Sequence, residues 1–135
     1  MTFLKNSVLL VCTACASLTA PKAIAAPDPI VKTLMTKALA NVPGKEVLML
    51  TVDYPPGGAD PIHRHDAPAF VYVLEGSIVM GVKGGKEVTL SPGETFYEAP
   101  NDVHTVGRNA SQTAPAKFVV LLVKDKGVPF FKPVK

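Results

Sequence analysis

The sequence predicts an all-β fold, an antiparallel sandwich or barrel, and three observations carry that expectation. Short β-rich runs follow one another from residue 45 to residue 123, and turn signals such as Pro55-Pro56-Gly57-Gly58, Gly84-Gly85 and Ser91-Pro92-Gly93 separate them. No stretch between those runs is long enough for a crossover helix, which excludes a parallel α/β sheet. Seven or eight short strands fit this pattern.

The first 25 residues read as a leader to be removed rather than as part of the fold. Lys5 gives a positive start, Ser7 to Leu18 is largely apolar and uncharged, and Ala23-Ile24-Ala25 resembles a cleavage site. The expectation is export, to the periplasm, with a lipid anchor on Cys15 as the alternative. Both cysteines, Cys12 and Cys15, fall inside this segment, so the remainder has neither a disulfide nor a thiol nucleophile. Removing Lys5 and Lys22 from the fourteen basic residues leaves twelve against eleven acidic ones. Near-neutral charge gives no footing for nucleic acid, and no later stretch approaches the ~20 apolar residues of a membrane span.

Four segments follow from this reading: the leader at 1–25, a helical or extended segment at 26–44, a barrel at 45–126 and a tail at 127–135. Pro29 to Ala40 carries Ile30, Leu34, Ala38 and Leu39 at roughly helical spacing, ended by Asn41-Val42-Pro43-Gly44, and predicts a short amphipathic helix. The strands expected after it begin with Lys45 to Tyr54. Phe70 to Leu74 and Ser77 to Lys83 come next, joined through Glu75-Gly76. Glu87 to Leu90, Thr95 to Tyr97 and Phe118 to Val123 complete the set. Phe70 to Leu74 is apolar on both faces; Ala69, Val71 and Val73 share the face of the histidine pair, and Phe70, Tyr72 and Leu74 point away. That outer face needs a cover, either the N-terminal helix or a second copy of the chain.

His63, His65 and His104 are the only histidines. Residues two apart in a strand point to one side with Cα atoms roughly 6.5 to 7 Å apart, so His63 and His65 form half of a metal site. His104, after the Pro100-Asn101 turn, is expected to supply the third imidazole. A surface or core role is the usual fate of a lone histidine, but all three falling in this context favours a divalent transition metal, Fe, Mn, Ni, Cu or Zn.

These residues resemble the cupin superfamily, in particular its small single-domain members. Gly57, His63, His65 and Gly76 match the first cupin motif, and Gly93-Glu94, Pro100, His104 and Asn109 resemble the second, with Asn101 where a turn glycine is usual. The resemblance implies a jelly-roll barrel, a double-stranded β-helix, with a metal bound by the three histidines. It also places Ala69 where the family carries a glutamate ligand. Three-histidine sites of that kind resemble those of dioxygenases, and quercetin-dioxygenase-like oxidation of a small organic substrate is the activity implied. A degenerate barrel with weakened metal affinity is the alternative meaning of Ala69.

Among other carboxylates, Glu98 is a candidate general base or an acceptor that steadies a ligand, whereas Asp66, Glu75 and Glu94 read as solvent or turn residues. Two rival functions belong to other classes. One is a non-catalytic module binding a small molecule or metal; the other is a metal-dependent isomerase or lyase on a sugar-like acid, with Arg64 and Arg108 as the nearest cations.

Overall fold

The computed structural model describes residues 25–134, and apart from Ala25 the expected leader lies outside them. Among the described residues ten strands form two five-stranded antiparallel sheets. They are β1 (Ile30–Ala38), β2 (Lys45–Tyr54), β3 (His63–Arg64), β4 (Ala69–Glu75), β5 (Ile78–Val82), β6 (Val88–Leu90), β7 (Thr95–Glu98), β8 (Val103–Asn109), β9 (Ala116–Asp125) and β10 (Lys132–Pro133). One sheet runs β1-β2-β9-β4-β7 and the other β10-β3-β8-β5-β6, the jelly-roll arrangement expected of the sequence. Leu48, Leu50, Val52, Val71, Val73, Phe118, Val120 and Leu122 of the first sheet and Ile78, Met80 and Leu90 of the second fill the core between them.

The N-terminal helix is a correction. Ile30–Ala38 is a strand, paired with β2 from Ile30↔Asp53 to Ala38↔Glu46. Its helical look has a physical source in a register shift between Thr33 and Met35, where Leu34 is an extra residue. A bulge breaks the two-residue alternation, so apolar side chains recur at a spacing that imitates a helix turn. The β-branched Ile30, Val31 and Thr33 suit the extended state, and β2 offers an open edge. Every residue of β1 is exposed, so the strand extends the first sheet without covering it.

The two-faced reading of β4 holds. Ala69, Val71 and Val73 are buried, whereas Phe70, Tyr72 and Leu74 are 47%, 47% and 40% exposed on the outer side, with Phe70 packed 5.2 Å from exposed Tyr97. The histidine pair does not share a strand with them. The chain leaves β3 and crosses to the other sheet at Asp66-Ala67-Pro68, and both segments face the interior.

Two turns bear on the site. Asn101 has φ 68°, the single left-handed non-glycine residue among those described, so it does fill the place of a turn glycine. Gly76, at φ 66°, has no alternative, because a Cβ there would lie 2.5 Å from the Pro115 carbonyl oxygen. Asn109 is a structural staple: its Nδ2 donates to the carbonyls of Pro55 at 3.0 Å and Ala114 at 2.8 Å, and its Oδ1 accepts from Ser111 N.

Candidate metal centre

Strand pairing brings the histidines together. His63 and His104 are register partners on β3 and β8, and His65 follows at the end of β3, so both neighbouring ring centroids lie 4.9 Å from that of His63. All three side chains are buried. The Asn101 N–H donates to the His65 carbonyl at 2.9 Å, tying the turn before β8 to this corner.

Backbone carbonyls fix which nitrogens face inward. A carbonyl only accepts, so His63 Nδ1, 2.8 Å from the Pro61 oxygen, carries its proton and leaves the Nε2 lone pair toward the site. His65 Nδ1 donates to the Phe130 carbonyl in the same way, leaving its Nε2 3.5 Å from Glu98 Oε2. His104 Nδ1 lies 3.4 Å from His63 Nε2 and 3.8 Å from Glu98 Oε1. Burial lowers the pKa of all three rings, that of His104 to about 3 with help from His63 and His65, so they are neutral and able to coordinate at pH 7.

Glu98 faces the cavity, a point the irregular segment after it hides in the sequence. It ends β7, is 3% exposed, and burial lifts its pKa to about 7, with Asp60 and Asp102 adding to the rise. Sequence reasoning missed four other contributors. Asp60, in the Gly-Ala-Asp-Pro run before His63, accepts the hydroxyl of fully buried Tyr54, and burial raises its own pKa. Phe130 and Phe131 come from the tail: Phe131 stacks on His63 with centroids 4.4 Å apart. Strand β10, which follows them, pairs with β3, and this strap closes the site. A carbonyl acceptor leaves no mark in sequence, and the Phe130-Phe131 and Asp60-Pro61 pairs are the signals that could have pointed to the others.

The residue set fits a cation. His104 Nε2 and Glu98 Oε2 are buried with no hydrogen-bond partner among the described residues, and since His104 turns its Nδ1 toward His63 and Glu98, the carboxylate oxygen is the orphan that a cation there would meet. Asp60, His63 and His104 each bring a ligand atom within 4.8 Å of the others. The 3.4 Å between His63 Nε2 and His104 Nδ1 is within the span of two metal–nitrogen bonds of about 2 Å. Around the cluster lies a cavity of about 460 Å³, open mouth included, walled by Leu50, Val52, Met80, Phe118, Val120 and Leu122. Among the described residues no lysine or arginine lines it. Arg64 and Arg108 instead sit at the surface, near Asp66 and Glu87. Glu94 accepts from Ser91 N in a turn, as expected of a turn residue.

Residues 50–122 match the family described as the cupin domain. The chain belongs to the cupin family. Solved structures share the fold. A cupin domain from Bordetella pertussis is 21% identical, with a TM-score of 0.60 over 76% of this chain and 99% of that one. An oxalate oxidase in complex with the substrate analogue glycolate is 27% identical, with a TM-score of 0.57 over 78% of this chain and 55% of that one. The DMSP lyase DddQ from Ruegeria pomeroyi is 23% identical, with a TM-score of 0.55. That match covers 62% of this chain and 41% of the lyase, so this cupin spans well under two thirds of the length of either enzyme. No curated protein matches the sequence. Among the described residues no helix is long and apolar enough to cross a membrane.

Proposed function

We propose that this cupin is an exported metal-dependent protein whose His63, His65 and His104 hold a divalent cation on the floor of an apolar pocket, where a small organic acid or enolate binds. One observation carries the reading: three buried neutral imidazoles and an unpartnered carboxylate oxygen converge where, among the described residues, no protein cation balances them. When bound, the metal would supply Lewis acidity and a site for dioxygen. Around it, the chain's own groups do the rest. The Pro61 and Phe130 carbonyls hold two imidazoles in one tautomer, and Phe131 covers His63 from solvent. The aliphatic walls exclude water and admit a compact ligand.

Because no lysine or arginine among the described residues lines the cavity, the metal is the group there that would neutralise an anionic ligand. This favours bidentate oxygen ligands over long polar substrates, and the glycolate complex of the oxalate oxidase is the same kind of ligand in a similar fold. Dioxygenase-like oxidation is the leading activity. It is tested by elemental analysis of protein purified without a histidine tag, followed by oxygen uptake with β-diketones, phenolics and small hydroxy acids. Uptake that needs the metal supports an oxygenase; metal-dependent proton exchange without uptake would instead establish the isomerase or lyase reading. Tight ligand binding with neither would make the protein a binding module. Export rests on the leader-like pattern of the first 25 residues, and a mature protein that begins at Met1 would overturn it.

A further inference from the structure

We propose that Glu98 of β7 supplies the fourth protein ligand of this centre, from the position directly across the strand pair from Ala69 of β4. The inference rests on the three-imidazole reading above. Ala69 and Glu98 are direct register partners in the antiparallel β4·β7 pair, and both face the interior, 0% and 3% exposed. Opposed residues of such a pair project to one face with Cβ atoms roughly 4.5 to 5.5 Å apart. A glutamate at either position therefore carries its carboxylate to the same region, and the methyl of Ala69 leaves that region to Glu98.

The contacts of Glu98 are those of a ligand rather than of a hydrogen-bonded side chain. Its two oxygens reach different histidines, Oε2 to His65 Nε2 at 3.5 Å and Oε1 to His104 Nδ1 at 3.8 Å. Both exceed ordinary hydrogen-bond length, and Oε2 is buried with no partner among the described residues. A buried carboxylate left in that state is costly, and a cation shared with the imidazoles removes the cost. Asp60, the other acidic residue at the site, is already engaged. It takes the Tyr54 hydroxyl, and the lack of a side chain at Gly107 makes room for this, since a Cβ there would lie 2.9 Å from Asp60 Oδ2 and 3.0 Å from the Tyr54 hydroxyl. Asp60 is a positioning residue.

The consequence concerns substrate class. Counted over its ligands alone, a divalent ion with one carboxylate keeps one unit of net positive charge, so a monoanion bound to it is neutralised at the ion, whereas a dianion is not. Enolates and monocarboxylates fit.

The test strips the full chain with a chelator and titrates it with Co²⁺ alone, following affinity and the visible spectrum. Glu98→Gln and Glu98→Ala should each weaken binding about tenfold or more and alter the spectrum. The double variant Ala69→Glu with Glu98→Ala should recover affinity to within about threefold, a rescue that a purely structural role for Glu98 would not give. Asp60→Asn should cost less affinity than either Glu98 variant, because Asp60 acts through the Tyr54 hydroxyl it accepts. Unchanged affinity and spectrum in both Glu98 variants, or a larger loss in Asp60→Asn, would overturn the proposal while leaving the three histidines in place. Retention of Co²⁺ by His63→Ala would strike the underlying reading instead.

Discussion

Two clusters of ionisable groups are buried in this cupin, and they are built in opposite ways. At the first, Lys124 Nζ donates to Glu46 Oε1 at 2.6 Å, to the Val128 carbonyl at 2.6 Å and to the Asp125 carbonyl at 3.1 Å, and Gly127 N also donates to Glu46. Charge and hydrogen bonds are both satisfied within the protein. At the second, three imidazoles and Glu98 face one another at 3.4 to 3.8 Å, and two buried polar atoms lack partners. The first cluster is finished by the chain, and the second needs something from outside it. Buried polar groups are nearly always paired, so a set of unpaired ones marks a ligand site more reliably than burial or charge alone.

The difference is broken most completely by removing a histidine. His63→Ala or His104→Ala should lower metal affinity about a hundredfold or more, beyond the ~10 to 100-fold typical of losing an outer contact, while the melting temperature of the metal-free protein stays close to the parent's. Elemental analysis after dialysis and a thermal melt check both halves. Full occupancy in a variant carrying both His63→Ala and His104→Ala would show that the metal is held elsewhere than at the second cluster.

Acidity gives the next largest effect. Glu98, with its pKa raised to about 7, holds its proton below that pH, and a cation must displace it. Affinity should thus fall roughly tenfold per unit as the pH drops below 7 and level off above it. The imidazoles, already neutral through burial, add little to that slope near neutrality. Competition with a chelator from pH 6 to 8 reads the slope, and Glu98→Gln should flatten it.

The finished cluster should respond in stability alone. Lys124→Met leaves Glu46 buried without its partner, so the melting temperature should fall by several degrees at neutral pH with metal affinity unchanged. Lys124 holds the Glu46 carboxyl below its ordinary pKa of 4.5. A depressed carboxyl contributes stability above its unfolded pKa and loses it as the pH falls through the folded one, so parent and variant should converge in acid. A constant gap down to low pH would show that the pair acts by packing.

How far each cluster was legible in the sequence follows from what sequence encodes. The H-x-H pair, the third histidine and the strand rhythm from Lys45 to Val123 were all visible, because alternation and turn residues are local signals. So was the inward face of Ala69, although for an incomplete reason, since the chain changes sheets at Pro68. The facing of Glu98 was not legible: it depends on the Ala69↔Glu98 register, a pairing across 29 positions of chain. The same holds for Glu46 with Lys124 and for the Phe130 carbonyl on His65, which join residues 78 and 65 positions apart. The strand at Ile30–Ala38 was misread because a single bulged residue changed its period.

The smallest effect should come from a third ion pair, at the rim, which sharpens the contrast between the other two. Lys132 pairs with Asp66, but their side chains are 38% and 33% exposed, so solvent screening leaves the pair little weight in stability. Its position matters more than its strength. Lys132 follows Phe130 and Phe131, so it helps hold down the strap whose carbonyl orients His65 and whose ring covers His63. Lys132→Ala should leave the melting temperature nearly unchanged, because β10 keeps its backbone pairing to β3 and the Val134 N–H still donates to Ile62 at 3.0 Å. Metal affinity should drop by only a few-fold, and the Val134 amide should exchange faster with solvent. A loss as large as that of Glu98→Gln would mean that the strap, and not the carboxylate, completes the second cluster.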